Sequence, residues 1–165
     1  MCKLIFDFDN TLISDDSLAK SFQSLNLRNK ILILLLLSMR GKVYIKNYLW
    51  QNGYMKLNIK FNSNFLKLAV SRKAFIVSGS LDPFVKSVLL GIIPKKRIFG
   101  TKKINLTGRN KMKFLVKKFG HKKFDYIGDS FSDIHIWKAA RNAYTVKRVG
   151  LYKLFVPHIR HINEL

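Results

Sequence analysis

Short apolar runs of β type recur along the chain, each ending in small or acidic residues and each followed by a segment of helical period. The runs are Lys3 to Phe6, Lys73 to Val77, Arg97 to Phe99, Phe124 to Ile127 and Tyr144 to Lys147. Strands alternating with helices in this way predict an α/β fold, a Rossmann-like parallel sheet with flanking helices. Asp82 and Pro83 read as an N-cap and first helical position, with Gly91 closing a helix that carries Phe84, Val85, Val88 and Leu89. A further amphipathic helix is expected after Gly108, with Met112, Leu115, Val116 and Phe119 on its apolar side and Gly120 at its end. The tail from Leu151 to Leu165 reads equally as a last helix or as a fraying end.

One crossover is too long. A βαβ unit needs roughly 30 residues, yet Asp9 and Ser78 are 69 positions apart (78 minus 9). The surplus predicts an insertion after the first strand, over 13–69, which leaves 1–12 and 70–165 as the core. Its pattern is helical: Asp15 or Asp16 caps a segment bearing Leu18, Phe22 and Leu25, and a second segment runs from about Asn29 through Leu49 to Gly53. Within it, Ile31 to Leu37 is an unbroken apolar run of seven residues, only about 10 Å of helix and too short to span a bilayer. A run apolar all round is expected to be buried between layers. The alternative is a docking surface for an anionic membrane, flanked by Lys30, Arg40, Lys42 and Lys46.

Composition narrows the class. Hydrophobic residues at 48% and charged residues at 24% describe a chain that folds, and 165 residues suit one main core. A single cysteine, Cys2, excludes an internal disulfide framework and a Cys-rich zinc site. With aspartates where a secretory apolar region would lie, the expected location is cytoplasmic, with membrane association as an extension. The 31 Lys and Arg against 9 Asp and Glu give a net charge of +22. Scattered as they are, these residues fit a coding bias, but a surface this positive still attracts polyanions, phosphorylated substrates among them.

Four of the nine acidic residues, Asp7, Asp9, Asp129 and Asp133, fall just after predicted strands. Strand-like alternation puts Asp7 and Asp9 on one side, where two carboxylates repel unless a cation such as Mg²⁺ lies between them. After the second strand, Ser78, Gly79 and Ser80 offer a hydroxyl and backbone amides as an anion cradle, and Ser80 reads equally as part of a tight turn. Lys111 falls in the first turn of its helix, where the dipole disfavours a cation and an anionic partner is favoured. Asp129 and Asp133 lie one helical turn apart and can face the same crevice. His121, His135, His158 and His161 show no zinc-type spacing, and Trp50 and Trp137 read as packing anchors.

In this order, DFDNT, SGS, Lys111 and GDSFSD resemble the signatures of the haloacid dehalogenase superfamily of phosphohydrolases: DxDxT, a strand-end Ser or Thr, a Lys and GDxxxD. A finer resemblance is to phosphoserine phosphatase-like proteins and the phosphatase-like domains N-terminal to membrane prenyltransferases of the 4-hydroxybenzoate type. It rests on RGKVYIK (Arg40 to Lys46), INLTGRNK (Ile104 to Lys111) and YIGDSFSDIHIWKAAR (Tyr126 to Arg141). Those fused domains often carry a replacement within GDxxxD, whereas this chain keeps both aspartates.

The resemblance implies a helical cap at the insertion and Mg²⁺-dependent hydrolysis of a phosphate monoester through an aspartyl-phosphate. Asp7 would be the nucleophile and Asp9 the general acid and base. Asp7, the backbone carbonyl of Asp9, and Asp129 would hold the metal. Ser78, Gly79 and Lys111 would bind the phosphoryl oxygens, with Asp133 in support. A small-molecule sugar phosphate or a lipid-linked phosphate is the expected substrate. The rivals are a phosphotransferase and a catalytically idle basic scaffold that binds a membrane enzyme or, less favoured, nucleic acid.

Overall fold

The computed structural model describes residues 2–55 and 58–165. Six parallel strands form one sheet in the order β3-β2-β1-β4-β5-β6: β1 (Lys3–Phe6), β2 (Phe75–Leu81), β3 (Ile98–Thr101), β4 (Phe124–Gly128), β5 (Ala143–Thr145) and β6 (Ile159–His161). Among the described residues six α-helices accompany it: α1 (Ser17–Gln23), α2 (Leu27–Gln51), α3 (Ser63–Ser71), α4 (Asp82–Val88), α5 (Gly108–Phe119) and α6 (Ile134–Ala139). Neighbouring residues of the central strands feed two apolar layers, as strand alternation requires. Phe6, Ile76 and Ile127 pack with Ile45, Leu49, Ala69, Phe84 and Val85 of α2, α3 and α4. Ile5, Val77 and Tyr126 pack with Leu115, Ile136 and Trp137 of α5 and α6. The sheet is covered on both sides, so every residue of β4 is buried, the usual state of a parallel strand.

The strand order reverses at β1. From there the chain proceeds one way through β2 to β3 and the other way through β4 to β6. Ligands of open α/β sheets bind at such a switch point, beyond the carboxyl ends of the strands. The ends of β1, β2 and β4 carry Asp7, Ser78 to Ser80, and Asp129.

Several boundaries move from the sequence expectation. Lys73 has φ of 51° and belongs to a turn, so β2 starts at Phe75. β5 ends at Thr145, whose Oγ1 accepts from the Lys147 N–H and turns the chain. Asp82 is the first helical residue and not the N-cap; its carboxylate accepts from the Gly100 N–H and from Lys86. The tail is neither a single helix nor frayed. It makes short turns at 150–154 and 162–164 with β6 between them, paired in parallel with β5.

The insertion is helical. Asp16 caps α1 by accepting from the Ala19 N–H, and Asn26 caps α2 by accepting from Asn29. Gly41, at φ of 73°, breaks α2 into two segments. Leu25, Ile33, Ile45 and Leu49 join the same apolar cluster as Phe6 and Phe84, so the insertion packs on the sheet layer itself. The expected burial of Ile31 to Leu37 is corrected: among the described side chains only Ile33 is buried, while Ile31, Leu32, Leu34, Leu35 and Leu37 are exposed. A continuous apolar run has no period, so it cannot direct one face inward. The side chain of Arg40 lies outside the described residues. No helix among the described residues is long and apolar enough to cross a membrane.

Candidate active site

Beyond Phe6 the β1–β4 ladder continues one step, with the Asp7 N–H donating to the Ile127 carbonyl at 2.8 Å. Asp7 therefore points to the side of Ile5, the side on which α5 packs. There the Lys111 ammonium donates to Asp7 Oδ2 at 2.7 Å and to Tyr126 Oη at 3.1 Å, and it lies 3.8 Å from Asp133 Oδ1. Tyr126 Oη in turn donates to Asp133 Oδ1 at 3.0 Å. Asp133 Oδ2 accepts from the Asp129 and Ser130 N–H groups, both at 3.3 Å. Carboxylate oxygens of Asp7, Asp129 and Asp133 all lie within 4.8 Å of one another, and all three residues are buried. Three hard, anionic oxygens from the ends of two adjacent strands form a donor set suited to Mg²⁺.

The carboxylate of Asp9 does not join that cluster, so the expected side-by-side pair of Asp7 and Asp9 is corrected. After Asp7 the chain leaves the strand, and Asn10 adopts a left-handed conformation at φ of 52°. This turns Asp9 toward the insertion. Its Oδ1 accepts from the Ser17 N–H at 2.9 Å, and its Oδ2 accepts from Ser80 Oγ at 2.8 Å and Ser78 Oγ at 3.3 Å. Ser80 Oγ also meets Ser17 Oγ at 2.7 Å.

A cleft of about 330 Å³ is lined by Asp7, Asp9, Gly79, Ser80, Lys111 and Asp129, together with Lys42, Lys46, Asn105 and Thr107. Ser78 is not on its wall. Fully buried, it accepts the Ser80 N–H at 2.9 Å and stands behind Asp9, while Ser80, also buried, is the serine of the motif that borders the cleft. Lys46, read from the sequence as a flank of a membrane surface, is likewise corrected. It is buried and donates to the Gly79 carbonyl and to Asn105 Oδ1, each at 2.6 Å, which ties α2 to the end of β2. A larger hollow of about 620 Å³ lies over Phe99, Ile104 and Phe114 and contains none of the clustered acids.

Burial sets the protonation of the site. It raises Asp9 above its ordinary value, with hydrogen bonds from Ser17 opposing and the charge of Asp7 adding to the rise. Burial also pushes Asp133 up to about 6 against the pull of Lys111, and raises Asp129 in spite of Lys147, whose ammonium lies 3.0 Å away. For Lys111 burial acts downward, but Asp7 and Asp133 outweigh it and the group stays above its ordinary value. Lys46 falls to about 8, chiefly by burial. The arrangement thus holds a fixed cation against Asp7 and, across the cleft, a carboxyl at Asp9 whose charged form burial disfavours.

Ser17, Tyr126 and Lys147 are not singled out as functional by the pattern of the chain, and Ser80 only on equal terms with a turn. Ser80 stood in the SGS motif beside a plain turn reading. Tyr126 reads as one more apolar strand residue, and Lys147 is one of 31 basic residues.

No family model matches the sequence, and no curated protein matches it. Solved structures share its fold. Phosphoserine phosphatase in its apo form superposes with a TM-score of 0.61 at 17% identity, over 99% of this chain and 96% of that one. A phospho-aspartyl intermediate analogue of phosphoserine phosphatase gives 0.59 at 17% identity, over 99% and 96%. A haloacid dehalogenase family hydrolase from Salmonella enterica subsp. enterica serovar Typhi gives 0.61 at 15% identity, over 95% of this chain and 66% of that one. At these identities the likeness is one of fold, and the chain has the α/β, Rossmann-type fold of haloacid dehalogenase-like hydrolases.

Proposed function

We propose that this chain is a Mg²⁺-dependent phosphomonoester hydrolase working through an aspartyl-phosphate. The observation that carries the reading is the convergence of Asp7, Asp129 and Asp133 around Lys111, with Asp9 held apart by Ser17 and Ser80 at the same cleft. Asp7 attacks phosphorus in line and the leaving oxygen departs toward Asp9, which donates the proton and later takes one from the hydrolytic water. Lys111, fixed by Tyr126 and Asp133, neutralises charge on the phosphoryl oxygens, and Gly79 backs them. Ser78 acts through Asp9, which it contacts. Asp7, Asp129 and the Asp9 carbonyl would hold Mg²⁺, whose charge would let the carboxylates and the phosphate share one site.

Residues 13–69 act as a cap over the core of 1–12 and 70–165, since Asp16, Lys42 and Lys46 line the cleft from that insertion. The finer likeness to the phosphatase-like domains of prenyltransferase fusions belongs to the same proposal. So does a cytoplasmic location, with peripheral contact to anionic membrane through exposed Leu27, Ile31, Leu34 and Leu35 beside Arg28. Sedimentation with vesicles of anionic lipid checks that contact. Candidate substrates are sugar phosphates, lipid-linked phosphates and phosphoserine, the last named for the apo neighbour. A screen of inorganic phosphate release from these classes with Mg²⁺, with and without an alcohol acceptor, tests the reading. Release in water supports hydrolysis, release into the acceptor alone favours a phosphotransferase, and salt-sensitive polyanion binding without turnover favours the idle scaffold.

A further inference from the structure

The acidic cleft does not end at Asp9. A second hollow of about 310 Å³ adjoins it, and the two share Asp16, Leu18 and Lys42. Chemistry changes across that border. On the cleft side the walls are carboxylates, hydroxyls and ammonium groups. On the far side they are Phe22 of α1, Ile33, Leu34 and Leu37 of the first segment of α2, and Ile45 and Leu49 of the second.

The border lies where the leaving group must go. Asp9, the residue assigned to protonate the leaving oxygen, accepts from the Ser17 N–H at 2.9 Å. The next residue along is Leu18, which lines both hollows. An alcohol oxygen departing beside Asp9 therefore has its carbon chain at Leu18, and the groove continues from there with apolar walls. A polar leaving group would forfeit its hydration there, whereas an alkyl chain gains from entering.

We propose that the substrate is a phosphate monoester of an aliphatic alcohol, with the phosphate at Asp7 and Lys111 and the chain in the groove between α1 and α2. This rests on the phosphomonoesterase reading above. The chemistry is the same hydrolysis: the bond from phosphorus to the alkoxide oxygen breaks, that oxygen takes the proton of Asp9, and water returns phosphate from Asp7.

The test is a chain-length series. Ethyl, butyl, hexyl and octyl phosphate are compared with phosphoserine by phosphate release with Mg²⁺. Full burial of a methylene corresponds to about fourfold. Because Leu34 and Leu37 are partly exposed, kcat/KM should rise roughly twofold per methylene, on the order of 60-fold from ethyl to octyl. The double variant L34E/L37E, altered at exposed positions, should flatten that rise to within about threefold. Titration with ethylphosphonate and octylphosphonate reads the same preference as affinity without turnover. A flat or falling series, or phosphoserine turned over faster than octyl phosphate, overturns the groove assignment and leaves the hydrolase intact. No release from any ester overturns the hydrolase reading instead. The phosphonates then decide the groove, and octylphosphonate binding no tighter than ethylphosphonate overturns it.

Discussion

Lys111→Met keeps the length and most of the bulk of the side chain and removes its charge. In the native site the ammonium is 3% exposed, 2.7 Å from Asp7 and 3.8 Å from Asp133. Removing one partner of such a buried group costs about 3–5 kcal/mol, because the acids left behind lose their counter-charge without regaining water. For a domain of this size each kcal/mol moves the melting temperature by about 2–4 °C, so a fall of about 10 °C is expected at pH 8. The loss has a predictable pH dependence. Lys111 itself stays protonated between pH 5 and pH 8, since its folded value lies above the ordinary 10.5, and its contribution is lost only as pH rises from 10.5 through that folded value. The acids respond differently. Asp133 already sits at about 6, above the ordinary 3.8, and without the cation its value climbs. A carboxyl raised in the folded state binds more protons than it does unfolded, so stability falls as pH rises through that window. The variant should therefore lie closer to wild type at pH 5, where Asp133 is protonated, than at pH 8. Circular dichroism melts of both proteins, metal-free, at the two pH values measure this. A variant within about 2 °C of wild type at pH 8, or one equally destabilised at both pH values, refutes the reasoning.

Ser80→Ala removes the hydroxyl that donates to Asp9 at 2.8 Å. The Asp9 pKa should rise further and carry the alkaline limb of the kcat profile upward; an unmoved limb contradicts the assignment. Gly128→Ala would put a methyl group 2.5 Å from Asp133 Oδ2 and 2.8 Å from the Tyr126 ring. It should lower stability by about 1–3 kcal/mol and turnover at least tenfold by displacing Asp133; full activity would show that the tight packing there is not needed. Lys46→Gln removes a group whose folded pKa is about 8 against an ordinary 10.5. The unfolded chain binds more protons between those values, so wild type should gain on the variant by about 2 kcal/mol as pH rises from 8 to 10. Parallel stability curves would contradict it.

The sheet was legible because its strands end in chemically distinctive residues. Five strands could be read from apolar runs, four of which stop at Asp, Ser or Gly. β6 could not, since its three residues Ile159–His161 alternate too briefly to stand out from the turns on either side. The order of the acids and Lys111 along the chain also indicated one crevice, and the structure brings Asp7, Asp129, Asp133 and Lys111 together there. The orientation of Asp9 was hidden, because it depends on the left-handed turn at Asn10 and on a helix N–H, that of Ser17, eight residues away. Tyr126 and Lys46 were hidden for another reason. Each acts through a partner far along the chain, Tyr126 through Lys111 and Lys46 through Asn105, and neither pairing leaves a trace in local pattern. The exposed run from Ile31 shows the limit of hydropathy: it reports apolarity, and only the surrounding layers decide burial.

The account stands on Asp7 as the nucleophile. Phosphate release from an aryl phosphate should require Mg²⁺ in the wild-type chain and vanish in Asp7→Asn, with the variant's circular dichroism spectrum unchanged. Undiminished Mg²⁺-dependent release by that folded variant would contradict it.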